Sequence, residues 1–154
     1  MATNFTNGDV LLLSSEDGGD LDINDGIITM TGGFETAAFL SLFGGNFNDD
    51  GTTSTQNKEW WGNKLDVNNP NRKMTSRTQN ILKGYPATPG NLNLVEQAIR
   101  LDLNWMIENS IIDELIITLT IPSKNKINIA LEGKKDRNTI AGIEFEQNWL
   151  AQSA

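Results

Sequence analysis

The sequence predicts an α+β domain, and three stretches carry that prediction. Residues 89–109 read as a long helix with a narrow polar stripe, residues 115–132 alternate apolar with polar on both sides of a turn, and Phe34–Phe43 is a shorter helical run between glycine pairs. With 154 residues and 38% of them hydrophobic, the chain is long enough to bury one core, so residues 1–154 are read as a single domain.

In chain order, Val10 to Leu13 is a short apolar run. Asp20-Leu21-Asp22-Ile23 then alternates into Asn24-Asp25-Gly26, a strong turn signal, and Ile27 to Thr31 returns as a second strand. This N-terminal β-hairpin leads through Gly32-Gly33 to the Phe34 helix. That helix is apolar at Phe34, Ala37, Ala38, Phe39, Leu40, Leu42 and Phe43, which is more than one side of it. It needs two surfaces: the domain's own sheet and, as a candidate for the second, a neighbouring chain.

From Gly44 to Thr75 the chain is rich in Gly, Asn, Asp and Thr and has no period. Loops inside a domain rarely exceed ~12–15 residues, so 44–75 is read as an extended contact loop, and it carries Trp60-Trp61-Gly62-Asn63. A short helix is expected over Ser76–Lys83, ended by Gly84 and Pro86. Thr88-Pro89 then opens the long helix, with Pro in its first turn.

The polar stripe of the long helix is Asn93, Gln97, Arg100, Asn104 and Glu108. Leu92, Leu94, Val95, Ala98, Ile99, Leu101, Leu103, Trp105 and Met106 cover much of the rest, so broad burial is expected. Leu115, Ile117, Leu119 and Ile121 alternate with Ile116, Thr118 and Thr120. After Pro122-Ser123-Lys124-Asn125 the pattern resumes at Ile127, Ile129 and Leu131, a hairpin with one wet face. Thr139 to Glu146 is a candidate last strand with Ile143 and Phe145 inward, making the C-terminal unit an antiparallel hairpin or small sheet. The chain therefore reads as an N-terminal β-hairpin, two to three helices with a long intervening loop, and that C-terminal unit.

The composition narrows function. The chain has no Cys and no His, so disulfides, thiolate or imidazole metal sites and His-dependent nucleophiles are excluded. Twelve Lys and Arg against 20 Asp and Glu give a formal charge of −8 and a pI near 4.4, which repels a phosphate backbone, so nucleic acid is not an expected partner. No apolar run approaches the ~20 residues that span a bilayer, and the first residues lack a signal-peptide pattern, so no membrane is expected and the chain is expected to remain in the compartment that makes it. No cofactor is expected.

Individual motifs are weak. Asp20-x-Asp22-x-Asn24-Asp25-Gly26 has the alternating oxygen donors of a calcium loop, but Asp25 occupies the sharp-turn position and Thr31 the bidentate one, so a hairpin turn is preferred. Asn46-x-Asn48-x-Asp50-Gly51 does put Gly at the sharp-turn position, but Asn57 stands at the bidentate one and the first residue carries no charge, so a metal loop is not preferred there either. Glu35, Asp49, Asp50 and Glu59 could in principle supply a glycosidase pair, yet no spacing selects two of them, and Glu35 suits the first turn of its helix. Of Trp60 and Trp61, one is read as an interface anchor or sugar platform and the other as a lid on the core.

Taken in order, Gly33-Phe34-Glu35-Thr36-Ala37, Leu40-Ser41-Leu42-Phe43, Trp60-Trp61-Gly62-Asn63, Ser76-Arg77, Ala98 and Leu103-Asn104-Trp105-Met106-Ile107-Glu108 resemble the Mu-type phage baseplate wedge family. That family looks related to the protein W or gene-25-like sheath initiators of contractile tails, and the likeness runs from about Asp20 to Leu131. The resemblance implies a structural virion component of the tail baseplate, assembled in the host cytoplasm, in six copies around the hub. The implied partners are other baseplate wedge proteins, the tail sheath protein and tube or hub proteins. On that reading Phe34, Ala38, Phe39, Leu42, Phe43, Trp60, Trp61, Arg77 and Trp105 contact the wedge, and Ile127, Ile129 and Leu131 lie on a strand edge offered to the sheath. Gly44-Gly45-Asn46 stands where many members carry Asp-Arg-Arg, which leaves Arg77 as the candidate for a similar ion-pairing role.

The chain is thus expected to be a non-enzymatic sheath initiator. The alternative is a peptidoglycan-directed glycosidase or carbohydrate-binding module of the same particle, with Trp60-Trp61 as its platform.

Overall fold

A computed structural model describes residues 9–10, 12–15, 18–21, 23–28, 30–31, 33–44 and 76–149. The first strands are short: β1 (Asp9–Val10), β2 (Leu12–Ser15), β3 (Gly18–Leu21), β4 (Ile23–Asn24), β5 (Ile27–Ile28) and β6 (Met30–Thr31). They pair antiparallel as β1 with β6, β2 with β3 and β4 with β5. Asp25 and Gly26, at φ 51° and 77°, supply the two consecutive left-handed residues that a tight primed turn requires.

Gly33, at φ 88°, turns the chain into α1 (Phe34–Phe43). Every residue of α1 is buried or half-buried, as its all-round apolar pattern demands. Its second surface comes from its own chain: one side meets the sheet and the other meets two further helices. Those are α2 (Arg77–Gly84) and, after a 3-10 turn at Pro89–Asn91, α3 (Leu92–Glu108). Tyr85 goes extended and Pro86 lacks the N–H to continue, so α2 stops where the sequence places its breakers. On α3, Asn93, Gln97, Arg100, Asn104 and Glu108 are exposed, while Val95, Ala98, Ile99, Asp102, Leu103 and Met106 are buried. The N–H groups of Ile111 and Ile112 both return to the Met106 carbonyl, closing the helix and driving Ile112 into the core.

The remaining chain forms a three-stranded antiparallel sheet in the order β7 (Glu114–Thr120), β8 (Lys126–Lys135), β9 (Asn138–Asn148). Leu115, Ile117 and Leu119 lie opposite Gly133, Leu131 and Ile129, which in turn lie opposite Ala141, Ile143 and Phe145. That register assembles one apolar face, and the three helices cover it. The other face is polar: Lys126 pairs with Glu146 at 2.8 Å, Asn128 bonds Glu144, and Thr139 bonds Glu132. Three helices on one face of this sheet make a small α+β fold.

Trp149, just beyond β9, is fully buried. Its backbone N–H meets Asn125 O at 2.7 Å and its indole N–H meets Tyr85 O at 2.5 Å, so it closes the core between the sheet and the end of α2. Among the described residues no helix is long and apolar enough to cross a membrane.

Candidate interaction site

Three aromatic rings anchor α1 to the sheet. The Phe39 centroid lies 5.3 Å from Phe43 and 5.8 Å from Phe145, and Phe43 meets Phe145 edge-on at 6.0 Å. Such pairs contribute ~0.5–1.5 kcal/mol each beyond their burial, so this side of α1 is committed to its own sheet.

The opposite side is tied to α2 and α3 by polar contacts. The Ser76 hydroxyl donates to Leu40 O at 3.4 Å, and the Trp105 indole N–H donates to Ser41 Oγ at 3.1 Å. Asp102, on the core face of α3, accepts the backbone N–H groups of Arg77 and Thr78 at 2.9 and 2.8 Å and the Thr78 hydroxyl at 2.8 Å. Arg77 adds an ion pair to the same carboxylate at 3.6 Å. Burial pushes the Asp102 carboxyl up to about 6, while the Thr78 and Arg77 N–H groups, the Thr78 hydroxyl and the Arg77 charge all pull it back down.

Where α1 begins, the helices and the sheet part. Phe34, Glu35 and Ala37 of α1, Trp105 and Met106 of α3, Ile111, and Ile140 and Ala141 of β9 line a cleft of about 520 Å³. Trp105, Ile111 and Ile140 are 38%, 42% and 53% exposed. Single exposed hydrophobes are ordinary; these three border one concavity, which makes it the candidate interaction site. Glu35 is the one charged residue lining the cleft, and its Oε2, covered by protein, has no hydrogen-bond partner among the described residues.

The expected wedge contacts divide accordingly. Phe34 and Trp105 line the cleft. Ala38, Phe39 and Leu42 are sealed in the chain's own core, and Phe43 packs against it, so these four serve folding because the sheet and α3 already occupy their surfaces. Arg77 makes its ion pair internally, with Asp102. Trp60 and Trp61, the 45–75 part of the contact loop and Asp49, Asp50 and Glu59 lie outside the described residues.

The strand-edge expectation requires correction. Ile127, Ile129 and Leu131 are on β8, the middle strand, whose main chain is paired to β7 on one side and β9 on the other, and their side chains are buried. The outer strands are β7 and β9. Asp20 and Asn24 fall on separate paired strands with Asp25-Gly26 as a turn, and among the described residues no group of three His, Cys, Asp or Glu could hold a metal ion.

Asp102, Ile111 and Ile140 were not singled out from sequence. An Asp flanked by Ile99, Leu103 and Met106 on the apolar face of a helix is a readable signal for the first. Ile111 and Ile140 carry no comparable signal, since the cleft joins segments far apart in the chain.

A comparison of the chain with known protein families, curated proteins and solved structures finds no match.

Proposed function

We propose that the chain is a structural, non-enzymatic baseplate wedge component of a contractile tail. It packs with larger wedge subunits around the hub and seeds the sheath through an outer strand of its sheet, β7 or β9. The observation that carries this reading is the exposed apolar cleft beside α1. It is lined by Phe34, Ala37 and Trp105, which belong to the same ordered residue set that resembles the Mu-type family. In this reading β1 to β6 form the N-terminal hairpin that delivers the chain to α1, and six copies assemble in the host cytoplasm into the virion.

Cryo-EM of purified tails tests it. Density for this chain between wedge helices and the first sheath ring, with the cleft covered, is the expected result. A chain absent from tails that cleaves or binds cell-wall polymer in isolation overturns it.

A further inference from the structure

We infer that the cleft receives a protein segment presenting one arginine between apolar side chains, with the guanidinium on Glu35 and the flanking residues on Phe34, Trp105 and Ile140. The inference names the partner's chemistry and rests on the proposed function only for the source of that segment, a neighbouring chain of the assembly.

Charge complementarity carries the argument. Glu35 is the one charged side chain lining an otherwise apolar concavity, and no hydrogen bond holds its carboxylate among the described residues, so a cationic donor entering the cleft meets a carboxylate with no competing partner. The obvious local donor is spent: the Trp105 indole N–H is committed to Ser41 Oγ at 3.1 Å. Trp105 therefore offers the cleft its ring, and an aromatic ring beside a carboxylate is an environment that suits a guanidinium, which can stack and donate at once. Ile111 and Ile140 extend the apolar rim, so a bare cation would leave them wet, whereas an arginine flanked by aliphatic side chains covers them. The formal charge of −8 on the chain favours approach of a cationic segment over an anionic one.

The test is an NMR titration of the isotope-labelled full chain with the capped peptide acetyl-Leu-Leu-Arg-Leu-Leu-amide, against the same peptide with neutral, isosteric citrulline replacing arginine. The arginine peptide is expected to shift the Trp105 indole N–H and the Ala37 amide saturably. Binding is expected to weaken about tenfold with citrulline and with Glu35→Gln. Ile140→Ser, at an exposed position outside the core, is expected to weaken both peptides alike and guards against a folding defect in Glu35→Gln. No saturable shift, or equal binding of the two peptides by both wild type and Glu35→Gln, overturns the inference. Tails that contain the chain while the peptide fails to bind would overturn this inference and leave the proposed function standing. Peptide binding by a chain absent from tails would do the reverse.

Discussion

The carboxylate of Asp102 accepts the backbone N–H of Thr78 at 2.8 Å, so the middle of α3 caps the start of α2. Ser76, the residue in the N-cap position of α2, makes no capping bond of its own and sends its hydroxyl to Leu40 O instead. The first turn of α2 is thus satisfied from another helix, and the Ser76-Arg77-Thr78 segment links all three helices.

Removing that carboxylate should loosen the helical layer. In Asp102→Ala the N–H groups of Arg77 and Thr78 and the buried Thr78 hydroxyl lose their acceptor. The expected loss is about 2–4 kcal/mol, read as a lower urea midpoint at neutral pH. An unchanged midpoint would show that water or another group replaces the cap.

The same carboxylate gives stability a pH dependence of definite sign. Burial raises its pKa from 3.8 to about 6, outweighing the Thr78 and Arg77 donors. The folded chain therefore binds this proton more tightly than the unfolded one. The resulting stabilisation is full below the unfolded value and is lost as pH rises through about 6, on the order of 3 kcal/mol in all. Comparing wild type with Asp102→Asn, which cannot titrate, isolates this group from the other carboxylates. The wild-type curve should fall relative to the variant between about pH 4 and about pH 6.5; a relative rise refutes the assignment.

The sheet and the two later helices are legible in sequence because their signals are local. Alternation at Leu115–Ile121 and Ile127–Leu131, the stripe from Asn93 to Glu108, and the stop at Gly84 and Pro86 each need only a few neighbouring residues. Strand order is not local. The alternation of Ile127, Ile129 and Leu131 looks the same on an edge as in the middle of a sheet, and only the Asn138–Asn148 strand decides between them. The all-round apolar pattern of α1 likewise calls for two surfaces without saying whose they are. Phe34 and Trp105 stand out in sequence as aromatics on helices, but the cleft they border does not, because its other wall, Ile111 and Ile140, forms only when the sheet folds against the helices.

The turn joining β8 and β9 stores removable strain. Asp136 and Arg137 sit at φ 50° and 68°, the left-handed conformation that a two-residue turn needs and that a side chain disfavours. The Asp136 N–H is anchored to Asp113 Oδ2 at 2.8 Å, so the first position is held by a contact. Arg137→Gly should stabilise the protein by ~0.5–1 kcal/mol, seen as a higher urea midpoint. A lower midpoint would mean that the Arg137 side chain contributes more than its backbone costs.

Gly133 couples the sheet to the cleft. It lies on the inward face of β8, and a Cβ there would come within 3.0 Å of Ile112 Cγ2 and 3.1 Å of Phe34 Cε2. Ile112 is fully buried and cannot yield, whereas Phe34 is half-buried and borders the open cleft, so the ring of Phe34 is the group that moves. Gly133→Ala should cost about 1–2 kcal/mol, below the upper range for overpacking because alanine also restricts the unfolded chain more than glycine. Phe34→Leu removes the atoms in conflict, so the double variant should lose less than the two single variants together, a coupling of at least ~0.5 kcal/mol in a double-mutant cycle. Additive losses would place the strain at Ile112 alone. Because the displaced ring would enter the cleft, Gly133→Ala should also weaken the arginine peptide, a change that a purely internal clash at Ile112 would not produce.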